Sequence, residues 1–230
     1  METGKLNWAG KIFMFFLKEL KSEWRSKVSI NSIILFSVVT LILISYSIGP
    51  YKIEGNSKGD ILSALLMLSL FFSSSIGLSR AFVKEEEQKT ALTTKMALDP
   101  LTVFLGKLLF NLILILSISA IITPLFCIFM EFYIKNLCYF IIVMLLSMLG
   151  LSIVSTFISA IVSKASMKGA LFPILTFPIL MPLILEGTKG LSLASSGQSL
   201  FFTQSAIVLV SYSGISFFGS ILLFERVWKE

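Results

Sequence analysis

"LCYFIIVMLLSMLGLSIVSTFISAIV", residues 137–162, carries no charged side chain, and the charge-free window around it extends from 136 to 163. Coiled as a helix rising ~1.5 Å per residue, such a stretch exceeds the ~30 Å hydrocarbon core of a bilayer. Five further windows are equally free of Asp, Glu, Lys and Arg: 30–48, 61–79, 108–130, 169–185 and 190–224. Each is long enough to cross a membrane, and the last is too long for one crossing. The expected fold is therefore all-α: one transmembrane domain over residues 1–230, with spans at about 30–48, 60–79, 104–126, 137–162, 170–186 and 204–224. Composition agrees, since only 14% of residues are charged and 56% are hydrophobic, and mean hydropathy is +0.92. A soluble domain has about 25% charged residues and roughly half apolar ones.

The first span starts too far into the chain, and ends in too poor a cleavage pattern, to read as a removable signal peptide; a permanent anchor is expected. Fifteen of the nineteen Lys and Arg fall on one side of these spans, among them Lys18, Lys21, Arg25, Arg80, Lys107, Lys164 and Arg226. Only Lys52, Lys58, Lys135 and Lys189 fall on the other. This imbalance places both termini of a multi-pass membrane protein in the cytoplasm. It also accounts for the net charge of +6 without a nucleic-acid partner.

Ahead of the first span, Phe13, Phe16, Leu17, Leu20 and Trp24 recur at helical spacing, with Lys11, Lys18, Lys21 and Arg25 opposite. That pattern describes an amphipathic helix over about 7–27 lying in the membrane interface. Pro173, Pro178 and Pro182 interrupt the fifth span, which suggests an irregular helix packed within protein. Small polar residues between Glu186 and Gln204 suit either a re-entrant pair of short helices or a loose outer loop. Cys127 and Cys138 fall near the outer face, and two cysteines make no disulfide scaffold.

Catalytic chemistry is poorly supplied. The chain contains no His, which removes imidazole as a base, a zinc ligand or an axial heme ligand. Gly106-Lys107 lacks the upstream glycine of a phosphate-binding loop. No catalytic or metal-binding residue is expected. Ionisable groups at mid-membrane depth, which ion-coupled carriers use, are also missing from the spans. If the protein moves a substrate, the free energy enters from outside the membrane, through a partner that grips a cytoplasmic loop.

The segment "RAFVKEEEQKTALTTKMALDP", residues 80–100, is the natural handle. Phe82 to about Leu98 has helical character, Glu85 precedes Lys89 by four residues, and Asp99-Pro100 ends the pattern. A helix held between spans two and three can act as a lever. A solvated turn whose charges only set topology is the alternative.

Six short pieces in fixed order resemble the heme exporter protein B (CcmB) family. They are "ELKSEWRSK" (19–27), Phe82 with its acidic run, "LGKLLFN" (105–111), "SAIVSKA" (159–165), "ILTFPILMPLIL" (174–185) and "LLFERVWK" (222–229). Lys89-Thr90-Ala91-Leu92 stands where the family often has a Gly and a Thr-Leu-Glu-like stretch. The resemblance implies an ABC-2-like permease with an N-terminal elbow helix, a non-catalytic subunit of an ATP-driven complex handling heme for cytochrome c biogenesis. It implies that 80–100 couples to the ATP-binding subunit CcmA, with Phe82, Glu85, Glu86, Glu87 and Leu92 as the docking surface. Arg80 and Lys84 are candidates for contact with heme propionates. Implied partners are CcmC, CcmD and the heme chaperone CcmE. Heme would be the substrate of the complex and ATP would sit on the partner subunit, with no cofactor on this chain. The missing His favours transmission of motion over heme ligation here. The alternatives are a permease for a lipid, polysaccharide or drug, an intramembrane enzyme, and a structural scaffold.

Overall fold

The computed structural model describes residues 8–49, 58–87, 94, 96, 98–165, 168–197 and 204–229. They form eight main helices in chain order: α1 (Trp8–Ser26), α2 (Val28–Ser47), α3 (Lys58–Leu78), α4 (Arg80–Glu87), α5 (Pro100–Met130), α6 (Leu137–Ser163), α7 (Lys168–Ser196) and α8 (Gln204–Lys229). No strand occurs among the described residues. Among the described residues, six helical stretches are long and apolar enough to cross a membrane: Ile30–Ser47, Lys58–Val83, Pro100–Met130, Leu137–Ser163, Leu171–Ser196 and Gln204–Trp228.

Local chemistry fixes where these helices begin and turn. Asp99 is extended and Pro100 opens α5, where a missing N–H costs nothing because no helical acceptor precedes it. Asn136 caps α6 by accepting from the Tyr139 amide at 3.1 Å. Lys27, at φ 53°, makes the left-handed corner between α1 and α2. The buried carboxylate of Glu23 accepts from the Ile30 amide at 3.4 Å, steadying the start of α2 from across that corner.

The central helix is α6, which packs against α3, α4, α5, α7 and α8. Small residues allow the close approaches. A Cβ at Gly150 would lie 2.1 Å from Leu183 Cδ1, and one at Gly77 would lie 2.0 Å from Ile33 Cδ1. Serine and threonine hydroxyls turn back onto carbonyls of their own helices, as Thr176 does to Phe172 at 2.6 Å. Others cross between helices: Ser37 meets Ser73 at 2.7 Å, and Asn111 donates to Thr156 at 2.8 Å.

Two expectations change. The chain does not leave the helix at Glu186; α7 continues to Ser196, so neither a re-entrant pair nor a loose loop begins there. The reason is packing: Gly187 and Gly190 face Met67 and Val143 at distances that leave no room for a Cβ. The three prolines of α7 point outward, while Phe172, Thr176, Leu180, Leu183 and Ile184 point inward. Donor-less positions therefore fall on the exposed side, and the helix passes through them unbroken.

α1 carries an exposed apolar stripe of Phe13, Leu17, Leu20 and Trp24. Phe16 instead joins Ile12, Phe15 and Glu23 on a second, buried face. Cys127 is half-buried, Cys138 is exposed, and the two are unbonded.

Candidate functional site

Most of α5 is apolar, but it is longer than a bilayer core needs: its 31 residues at ~1.5 Å each span about 46 Å. Its first turns lie at the end of the bundle where the basic residues gather. Lys107 lies about 10 Å along the helix from Pro100, counting ~1.5 Å per residue. There α1 crosses so closely that a Cβ on Gly106 would sit 2.6 Å from the Phe15 ring and 3.4 Å from the Ile12 carbonyl. The Lys107 side chain is 1% exposed.

Such a cation requires partners. Its Nζ lies 3.5 Å from Glu19 Oε1 of α1 and 3.4 Å from Glu85 Oε1 of α4. It donates to the Ala81 carbonyl at 2.7 Å and stands 4.8 Å from the centre of the Phe82 ring. Lys18 is partly exposed and completes the group, 3.4 Å from Glu85 and 3.9 Å from Glu19. Two carboxylates and two ammonium groups thus balance one another. Burial pushes the Glu19 carboxyl above its ordinary value, with the Glu85 charge adding to the push; the Lys107 ammonium pulls the other way.

A second fastening holds the bend from α3 into α4. The Phe82 amide donates to Ser159 Oγ at 3.2 Å, and that hydroxyl donates to the Ser79 carbonyl at 3.1 Å. One serine of α6 thereby ties both sides of the turn. Beneath it, Phe82 packs at 5.6 Å from Phe224 and 6.0 Å from Trp228, while Phe104 lies 5.0 Å from Phe224. Elements α1, α4, α5, α6 and α8 meet here around a small aromatic core of their own.

The docking candidates divide accordingly. Phe82 and Glu85 are buried, turned toward this chain's own rings and lysines. Glu86 is partly exposed and borders a shallow groove with Ser163, Lys164, Val227 and Trp228. Arg80 is exposed and makes none of the ion pairs of this group. The side chains of Lys84 and Glu87, and residue Leu92, lie outside the described residues. So does most of 88–97, where the helix was expected to continue toward Leu98.

Glu19, Ser159, Phe224 and Trp228 were not singled out from sequence, and Lys18 and Lys107 were noted there only in other roles. Their signal was present in another form: "ELKSEWRSK", "LGKLLFN", "SAIVSKA" and "LLFERVWK" are far apart in the chain and converge on this joint. These contacts join α4 to three spans, α5, α6 and α8, and to α1. At the opposite end, two cavities of about 470 and 350 Å³ share Ser192, which donates to Asp60.

A family model described as CcmB protein matches residues 10–229 of the chain. No curated protein matches it.

Proposed function

The chain belongs to the CcmB family, the membrane component of the heme exporter ABC system, and on that premise we propose that it works as a transmission. An ATP-binding subunit of the CcmA type docks on α4, and its nucleotide-driven motion enters the membrane through the Lys107 joint. The observation that carries this reading is the fastening of α4. A solvated turn needs no buried ion pairs, yet this segment is tied to α5 and α1 by Lys107, Glu85 and Glu19, and to α6 by Ser159.

The basic end of the bundle is the cytoplasmic one, by the excess of Lys and Arg there, and the membrane is the bacterial inner membrane. Docking uses the outward side of α4, with Glu86 and the adjoining groove; Phe82 and Glu85 serve docking indirectly, by fixing the helix. Heme is handled by the complex, with CcmC, CcmD and CcmE as its other members, and no cofactor resides on this chain.

The test separates contact from transmission. Glu86→Lys is expected to reduce recovery of the ATP-binding subunit in co-purification, with thermal stability of the chain unchanged. Glu85→Gln is expected to preserve recovery and to lower covalent heme attachment to c-type cytochromes. Full heme attachment with Glu85→Gln, or undiminished recovery with Glu86→Lys, contradicts the reading.

A further inference from the structure

Beside the joint, but outside it, the bundle has a cleft of about 410 Å³. Ser32 and Phe36 of α2, Phe72 and Ile76 of α3, and Pro173 of α7 line it, and Arg80 stands at its end where α4 begins. Its walls are mostly carbon. Phe72 and Ile76 are well exposed, so the cleft opens sideways onto the surroundings of the bundle. The α2 span beside it is the least enclosed of the six, with 17% of its apolar window buried.

Arg80 is the distinctive group. Every described cation of the joint has a carboxylate partner, whereas Arg80 has none among the described residues. It opens α4 just after the turn at Ser79, near the end of the Lys58–Val83 stretch, and the excess of Lys and Arg at this end assigns it to the cytoplasmic headgroups. A planar guanidinium held there presents paired donors that match a phosphate better than they match water. Apolar walls beside a cation that has no carboxylate partner among the described residues fit an amphiphile with an anionic head.

We propose that this cleft is a binding site for an anionic phospholipid of the leaflet at the basic end. The phosphate and glycerol sit against Arg80 and the Ser32 hydroxyl, and one acyl chain lies along Phe36, Phe72 and Ile76. The lipid fills the gap between α2 and α7 and lies against the α3–α4 turn, so occupancy of the cleft braces the helix that receives the push. This goes beyond the proposed function, because binding needs neither nucleotide nor heme.

The test uses the full chain with its co-purifying subunits. The complex is placed in vesicles of equal parts phosphatidylglycerol and phosphatidylcholine with matched acyl chains, extracted in mild detergent and weighed by native mass spectrometry without ATP. The wild type is expected to retain phosphatidylglycerol in preference to phosphatidylcholine. Arg80→Gln, at an exposed position, is expected to reduce that retention about fivefold, the order expected for one basic residue at an anionic surface. Ser32→Leu, which fills the cleft and leaves Arg80 in place, is expected to reduce it similarly. Arg226→Gln, which removes another exposed basic side chain, is expected to leave it unchanged. Equal losses from Arg80→Gln and Arg226→Gln would reduce the effect to a diffuse basic belt and overturn the site. Retention indifferent to headgroup charge would overturn it too, as would displacement of the lipid by equimolar heme in the wild type alone.

Discussion

Replacing Lys107 by Met keeps a long, unbranched side chain in place and removes only the charge and its donors. The lysine is 1% exposed, and two carboxylates, 15% and 9% exposed, lie within 3.5 Å of it. Removing one partner from a buried ion pair costs about 3–5 kcal/mol, because the remaining charge is left uncompensated. Lys18, more than half exposed, recovers part of this through its own contacts at 3.4 and 3.9 Å, and solvent weakens its contribution. The expected net cost is about 3 kcal/mol, or roughly a 150-fold change in the equilibrium between closed and open joint. Because the joint occupies one end of the bundle, opening is local, and hydrogen exchange is the suitable assay. Amides of residues 79–86 should lose protection by about that factor in Lys107→Met, while amides at the α6–α7 crossing keep theirs. Adding Glu19→Gln and Glu85→Gln to Lys107→Met should restore at least half of the lost protection, since no buried charge is then left unpaired and Lys18 is more than half exposed. A change below about 0.5 kcal/mol, within the ordinary range for exposed surface substitutions, would refute the reasoning. So would an equal cost of Lys107→Met in the presence and absence of the two glutamates.

Ser159→Ala removes the acceptor of the Phe82 amide and the donor to Ser79, so the α3–α4 turn should lose about 1–3 kcal/mol of protection in the same exchange experiment, with α1 unaffected. Gly106→Ala should cost about 1–3 kcal/mol in thermal or denaturant unfolding, because the new Cβ meets the Phe15 ring and the Ile12 carbonyl. Gly214→Ala, with nothing within 4 Å of its Cβ position, should be neutral. The pH dependence follows from Glu19, whose carboxyl is raised above 4.5 in the folded chain. Between 4.5 and that raised value the folded state holds the proton more tightly than the unfolded one. This contribution to stability is therefore full below pH 4.5 and is lost as pH rises through the folded value. Glu19→Gln should flatten that part of a stability-against-pH curve, and an unchanged slope would remove Glu19 from the account.

The six spans were legible because charge is excluded from each of them, and a window such as 137–162 admits few other readings. The elbow was legible for a related reason: Phe13, Leu17, Leu20 and Trp24 repeat at helical spacing. Its second face was not, since Glu19 and Glu23 resemble solvated residues until Lys107 and Ile30 are brought to them by the corner at Lys27. An ion pair between Glu19 and Lys107, nearly ninety positions apart, leaves no local pattern. The extension of α7 was hidden by composition, as Gly187, Gly190 and the serines after them suggest a loop in water. Inside a helical bundle the same residues permit close contact with Met67 and Val143. Glu85, Glu86 and Glu87, three glutamates in a row, are equivalent in sequence. The helical turn sends Glu85 inward to Lys107 and leaves Glu86 partly outward, and only packing distinguishes them.

The central claim is that motion enters this chain through α4 and that the chain supplies none of it. Cys138, exposed at the start of α6 and far along that helix from Ser159, offers a native position for a spin label once Cys127 is replaced by Ser. In vesicles containing the chain with its ATP-binding subunit, ATP should change the mobility of that label, and Lys107→Met should suppress the change while hydrolysis continues. The opposite outcome is a label that responds to a proton or sodium gradient in the isolated chain without nucleotide, or one that answers ATP equally well in Lys107→Met.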